Sequence, residues 1–240
     1  MTQFLRSFLF LSIASVVALE SKINQIYVFE NGPIALNPMF SESRINTRTA
    51  HPRFLVLFQK LIEALFKVKL EIQNPFLYET KGEVVSHLAQ PEFRGLVRKT
   101  CSCWNWFSVP LRADRIGRGT FKGPHDGDCL PCVIRRAAME HAKLAGSDVS
   151  YLIDIFDEFS RLTVRHQVLI ADYLRFCRNV QMLEEVQLLL EHPDFSVCAQ
   201  NVEARDLISM YQRHVREMIR SFCEKGSSET VQMLIPAEVT

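Results

Sequence analysis

The sequence has almost no net charge. Twenty-eight lysines and arginines against 27 aspartates and glutamates leave +1. A chain that holds nucleic acid non-specifically carries a clear basic excess, so no direct nucleic-acid binding is expected. Glycine is scarce, at nine residues, and the ten prolines follow no period, which excludes collagenous and low-complexity chains. No internal repeat is evident, which removes solenoids and propellers. No apolar run is long enough to read as a membrane span. Nor is there a disulfide framework. The seven cysteines stand at 101, 103, 129, 132, 177, 198 and 223, an odd number with four gathered near the middle. That distribution suits one metal cluster plus scattered buried thiols, in a reducing, cytoplasmic compartment. What remains is a globular balance, 48% apolar and 23% charged.

Residues 1–20 (MTQFLRSFLFLSIASVVALE) allow two readings. One arginine followed by an apolar stretch has the outline of a secretory signal, but no small-x-small cleavage site follows Ala18. The favoured reading is a buried helix leading into the strand Gln25–Phe29, one half of an α/β unit whose strand is covered on both faces.

Glu30-Asn31-Gly32-Pro33 then reads as a turn, followed by a polar stretch from Asn37 to Pro52. Phe54–Val68 has helical apolar spacing, and Leu70-Glu71-Ile72 reads as a short strand ending at Asn74-Pro75. Thr80 and Glu83 have the spacing of a capping box that opens a helix running to about Ala89. Thr100–Cys132 is irregular and carries the cysteines. Five helices are expected beyond it, at Val133–Leu144, Tyr151–Leu162, Arg165–Phe176, Val180–Glu191 and Ala204–Glu224. The expected division is an α/β part over 1–100, a metal-binding segment over 101–146 and an all-α region over 147–240.

Three constellations carry chemistry. Cys129-Leu130-Pro131-Cys132 is a C-x-x-C, and two intervening residues let both sulfurs reach one ion. With Cys101-Ser102-Cys103 upstream, and with His125 and Asp126 as substitutes, it offers the four ligands of a closed structural zinc site. The loop Arg44–Pro52 brings Arg44, Arg48, Thr49 and His51 together as a cradle for a carboxylate or phosphate. Lys81 and Gly82 stand at an expected helix start, where backbone N–H groups favour anions, and Arg135 and Arg136 follow the C-x-x-C.

Taken in order, four stretches resemble the 7-cyano-7-deazaguanine synthase family of PP-loop ATP pyrophosphatases, most closely its relatives in bacterial anti-phage systems. They are Glu30-Asn31-Gly32, Arg48–Pro52, Asn74-Pro75-Phe76 with Thr80-Lys81-Gly82-Glu83, and Ser102-Cys103-Trp104 followed by Asp126–Cys132 and Arg135-Arg136. They span roughly residues 8–145. The resemblance implies an adenine-nucleotide-hydrolase-like, Rossmann-like parallel sheet with a zinc-binding loop and a helical C-terminal extension. It implies an ATP- and Mg-dependent ligase that activates the 7-carboxylate of a deazaguanine and converts it through the amide to the nitrile. Under that reading Lys81 and Arg48 assist catalysis, and Arg44, Thr49, His51 and Arg135 bind substrate. Cys103, Cys129 and Cys132 match three zinc ligands. The fourth position falls on Asp126 where the family has cysteine, with His125 and Cys101 as alternatives.

A larger departure concerns the nucleotide. The family's S-G-G-x-D-S phosphate loop occurs nowhere in the 240 residues. The expectation is therefore an N-terminally truncated member, or a chain whose partner, a protein of a defence system, supplies the loop. Two alternatives stand beside it: a non-catalytic zinc module that docks a partner, and a secreted protein whose clustered cysteines are oxidised.

Overall fold

The structure, a computed structural model, describes residues 3–41, 47–196 and 202–235. It is mixed α/β and mostly helical. The helices are α1 (Gln3–Glu20), α2 (Gly32–Leu36), α3 (Pro52–Phe66), α4 (Lys81–Ser86), α5 (Val109–Arg115), α6 (Leu130–His141), α7 (Val164–Met182), α8 (Glu185–Glu191), α9 (Ala204–Lys225) and α10 (Ser228–Leu234). Two strands, β1 (Gln25–Tyr27) and β2 (Glu71–Gln73), pair in parallel with Ile26 opposite Ile72. The chain forms two compact units. One is Met1–Thr80 with Leu183–Gln212, the other Lys81–Met182 with Arg213–Thr240. These boundaries differ from the segmental division at 100 and 146.

In the first unit the parallel pairing needs a long crossover, and α2 and α3 supply it. Asn31 opens α2 by accepting the Ile34 N–H on its side chain at 3.3 Å, and Pro33 stands in the first turn, where its missing N–H costs nothing. Gly32 is fixed by close approach, since a Cβ there would lie 2.3 Å from the Leu77 carbonyl oxygen. α3 begins at Pro52, two residues before the expected start at Phe54, and stops at Lys67, which adopts a left-handed conformation (φ 57°). One face of α1 and one of α3 meet the sheet through Leu11, Ala18, Leu55, Phe58, Ile62, Leu70 and Ile72. The outer edge of β2 is closed by a side chain, because the Ile72 N–H donates to Gln59 Oε1 at 2.9 Å.

The N-terminal helix forms as expected, but it is not buried. Leu11, Ser15 and Ala18 are its buried residues among those described, while Leu9, Phe10, Ile13, Val16 and Val17 are exposed. The physical reason is the size of the sheet, since two three-residue strands and one neighbouring helix cover a single stripe of an apolar helix.

The second unit packs α4 on α6 through Val85, Val97, Ala138, Met139 and Leu144. The later part of α9 docks on α6, where Ser221 Oγ donates to the Ala137 carbonyl at 3.3 Å and Lys225 pairs with Glu140 at 3.4 Å. The helix expected at Tyr151–Leu162 does not form. Its backbone is used elsewhere: Tyr151 makes a parallel bridge to His125, Leu152 N–H donates to the His125 carbonyl, and Ile153 N–H donates to the Asp126 carbonyl, both at 3.0 Å. A single 3₁₀ turn, Phe159–Arg161, follows. The two helices expected over 165–191 divide later than the sequence suggests. Asn179, a residue type common at helix starts and next to the expected start at Val180, lies inside the 19-residue α7.

Candidate metal centre

The cysteine-bearing segment is ordered around α6. Cys129 caps this helix with extended backbone (φ −79°, ψ 149°), and a proline stands in the first turn. Cys132 follows one turn on, its N–H bonded to the Cys129 carbonyl at 2.9 Å. Both sulfurs therefore sit at the positive end of a 12-residue helix, which favours thiolate over thiol.

Asp126 reaches the same point because the chain turns sharply at Gly127. That residue has φ 91°, and a Cβ there would fall 2.0 Å from the Ile153 carbonyl oxygen. Glycine meets both demands, the left-handed backbone and the close approach. Cys103 arrives from the preceding loop. It is held by the His125 ring, whose Nε2 accepts the Ser102 N–H at 3.1 Å, and by the Asn105 N–H, which donates to Cys103 Sγ at 3.3 Å.

The outcome is a buried group of Cys103, Asp126, Cys129 and Cys132, with all ligand atoms within 4.8 Å of one another. The Cys103 and Cys129 sulfurs are 3.9 Å apart. Four ligands at a Zn–S distance of about 2.3 Å and tetrahedral angles place sulfurs about 3.8 Å apart, so the spacing fits one zinc ion. The electrostatics agree. Hydrogen bonds from Cys129 and Cys132 hold the Cys103 thiol far below its ordinary range, while the contacts with Cys103, together with burial, push the other two thiols up against the pull of the helix end. Three sulfurs sharing one buried pocket cannot all ionise without a cation among them, and a divalent metal ion resolves the conflict.

Of the three candidates for the fourth ligand, the structure brings in Asp126. Its Oδ2 accepts Asn105 Nδ2–H at 2.8 Å, its Oδ1 accepts the Cys129 N–H at 3.3 Å, and the Arg112 guanidinium lies 3.8 Å from Oδ2. Cys101 is exposed, its thiol directed to the Pro124 carbonyl at 3.9 Å. His125 is fully buried as a loop support, and burial, followed by the nearby Arg135 charge, lowers its basicity.

Two networks around the centre were not anticipated from the sequence. Asp128, fully buried, receives both terminal nitrogens of Arg112 and also His166 Nδ1 at 2.6 Å. Burial opposes its ionisation, but the Arg112 and His166 contacts outweigh that and keep the carboxyl below its usual range. Arg118 pairs with Glu158 and reaches the Leu152 carbonyl, tying down the segment that buttresses Asp126. A hint was available for Asp128 alone, since it lies between two ligand positions.

The residues expected to meet substrate are distributed as follows. Arg44 lies outside the described residues. In the first unit Arg48 is exposed, Thr49 half-buried and His51 buried at the start of α3, where its carbonyl accepts the Leu55 N–H at 3.1 Å. A cavity of about 390 Å³ adjoins this turn and is lined by Ala50, Pro52, Leu55, Gln59, Asn74 and Tyr78 among others. In the second unit Lys81 is half-buried at the start of α4. The anion at that helix start is the protein's own. Gly82 N–H donates to Glu217 Oε2 at 3.3 Å, and Glu83 is held by Arg213 at 2.6 and 3.2 Å.

Arg135 does not face a substrate. It is 2% exposed, and each of its guanidinium nitrogens bonds within the protein: Nε and Nη2 to Asp148, Nη1 to Thr100 Oγ1 at 2.8 Å, and Nη2 also to the Val97 carbonyl at 3.0 Å. The expectation that it binds substrate is corrected by that arrangement: Arg135 anchors the loop carrying Cys103.

Among the described residues no helix is long and apolar enough to cross a membrane. No known protein family, characterised protein or solved structure matches the chain.

Proposed function

We propose that the chain is a zinc-containing ATP-dependent ligase of the 7-cyano-7-deazaguanine synthase type, acting on the carboxylate of a deazaguanine-like base. The observation that carries this reading is the convergence of Cys103, Asp126, Cys129 and Cys132 on one buried point, in the chain order of the resembling motif. Four protein ligands close the site, so zinc supplies charge and cross-linking that hold two loops together, not a reactive position.

The reaction divides into steps that need little from the protein beyond positioning and positive charge. The base's carboxylate attacks the α-phosphate of ATP in line, and pyrophosphate leaves. Ammonia displaces AMP from the acyl-adenylate to give the amide. A second ATP activates the amide oxygen, which departs with AMP as the nitrile forms. Arg48 is the cation assigned to the phosphates, and the 390 Å³ cavity beside Ala50 and Pro52, in the same unit, is of a size for a purine-like ring. Such chemistry requires a phosphate loop, which this reading assigns to a partner protein.

A second reading is favoured by that missing loop, namely a zinc-centred module that binds a partner without turning over ATP. One experiment separates them. The purified chain is assayed for zinc content, for calorimetric binding of 7-carboxy-7-deazaguanine, and for Mg-dependent pyrophosphate release with and without proteins encoded beside it. Base binding with release, alone or with a partner protein, supports the ligase. Stoichiometric zinc with neither base binding nor release under either condition sinks it and leaves the module.

A further inference from the structure

α1 is apolar on every side, yet it is buried on one. Its inner stripe is Leu11, Ser15 and Ala18. On the opposite face stand Leu9, Phe10, Ile13, Val16 and Val17, each 54–60% exposed. At 100° per residue these five lie within one arc, and Arg6 and Glu20, also exposed, fall inside the same arc, one toward each end of the helix. Positions 6, 9, 13, 16 and 20 alternate steps of three and four, the spacing of a coiled-coil seam.

The face is symmetric about its centre. Ile13 lies midway between Arg6 and Glu20, seven residues from each, or about 10 Å along the axis. Neither charged residue has an ion pair among the described residues. A helix of the same sequence laid antiparallel across this face, with the twofold axis at Ile13, sets Arg6 opposite Glu20 of the second copy. It sets Leu9 and Phe10 opposite Val16 and Val17, and Ile13 opposite itself. Half-exposed side chains of this size present roughly 100 Å² each, so two copies bury on the order of 1,000 Å², the lower limit for a specific interface.

We infer that the outer face of α1 is a homodimer interface in which two copies of the chain pair antiparallel through Leu9, Phe10, Ile13, Val16 and Val17, with an Arg6–Glu20 ion pair at each end. The pattern selects a second copy over a lipid surface, because a membrane-facing helix gains nothing from opposite charges placed symmetrically about its midpoint. A lipid-binding helix instead concentrates lysine and arginine along its polar side. The inference is independent of the proposed ligase activity.

The test is the mass of the full chain in solution by sedimentation equilibrium. Twice the 27.7 kDa chain mass is expected. Ile13→Arg places two like charges on the twofold axis and gives a monomer. Arg6→Glu faces Glu20 with a like charge at both ends and weakens the dimer about tenfold. Combining Arg6→Glu with Glu20→Arg restores the original affinity, which a loss caused by misfolding would not do. These side chains lie outside the core, so circular dichroism is expected to stay unchanged. A wild-type chain that is monomeric at every concentration overturns the inference, as does a dimer indifferent to Ile13→Arg or a double reversal that fails to restore it. A monomer that instead sediments with phosphatidylglycerol vesicles also overturns it and assigns the face to lipid.

Discussion

Replacing Arg135 by methionine tests whether this arginine builds the metal loop or contacts a ligand. In the structure Arg135 and Asp148 form a buried pair at 2.7 Å, with side chains 2% and 1% exposed. Methionine keeps much of the volume but leaves the Asp148 carboxylate with two partners, the Val149 N–H at 2.8 Å and the Tyr151 hydroxyl at 2.6 Å. It also removes the donors to Val97, Thr100 and Ser102, on the segment that leads into Cys103. Breaking a buried pair from one side costs about 3–5 kcal/mol, because the surviving charge stays desolvated. That cost is expected in urea unfolding of the zinc-loaded protein near neutral pH. Burial raises the Asp148 pKa, but the Arg135 hydrogen bonds outweigh it and hold the group below its ordinary value. The pair's contribution is thus complete above the unfolded-state pKa, near 4, and is lost as pH falls through the folded value. The variant should lose least against wild type in acid. Adding Asp148→Leu, which removes the stranded charge, should recover part of the loss. A stability change under about 1 kcal/mol together with weaker base binding would refute the anchor and return Arg135 to the substrate.

Three further outcomes follow from the same geometry. Gly127→Ala combines a left-handed backbone with a Cβ 2.0 Å from the Ile153 carbonyl oxygen; it should cost about 2–4 kcal/mol and lower zinc affinity at least tenfold in a chelator competition, and an unchanged affinity would contradict the turn described. Removing metal with a chelator should lower the unfolding midpoint of wild type, and Asp126→Ala should weaken zinc binding while Cys101→Ser leaves it unchanged; equal losses in the two variants would displace Asp126 as fourth ligand. His214 is fully buried, with Nε2 2.6 Å from the Tyr173 hydroxyl, and burial depresses its pKa to about 3. Below the unfolded value near 6.5 the unfolded chain binds a proton that the native state refuses, so stability should fall with pH by up to about 1.4 kcal/mol per unit between pH 6.5 and 3, and His214→Gln should flatten that slope in pH-dependent urea titrations.

What the sequence made legible depended on how local the signal was. β1, α3, β2 and the start of α4 each announce themselves by a short apolar alternation, a proline at the helix start or a polar break, and each forms within a few residues of its expected bounds. Tyr151–Leu162 shows the opposite case. Its apolar spacing is helical, yet its N–H groups are claimed by the carbonyls of His125 and Asp126, more than 20 residues away. Propensity is a weak prior where a distant strand-like segment offers a better set of partners. The N-terminal helix shows a related limit, because its apolar composition measures how much surface needs cover, and the amount of cover within one chain is a tertiary quantity.

The metal ligands were readable because ligand chemistry restricts them to few residue types at short spacing, and C-x-x-C states half of the site outright. Their support was not readable, because nothing local distinguishes a supporting residue from a solvated one. Arg112 lies 16 residues before Asp128 and His166 lies 38 after it, and all three look like surface charges in the sequence. Arg135 was misassigned for the same reason. An arginine beside a cysteine motif suits a ligand contact and a structural anchor equally, until Asp148 is found 13 residues on, in a buried position that no periodicity marks. The choice between the two is made by desolvation. An arginine whose five N–H donors are already spent on a buried carboxylate, two hydroxyls and a carbonyl has nothing left to offer a substrate, whatever motif surrounds it.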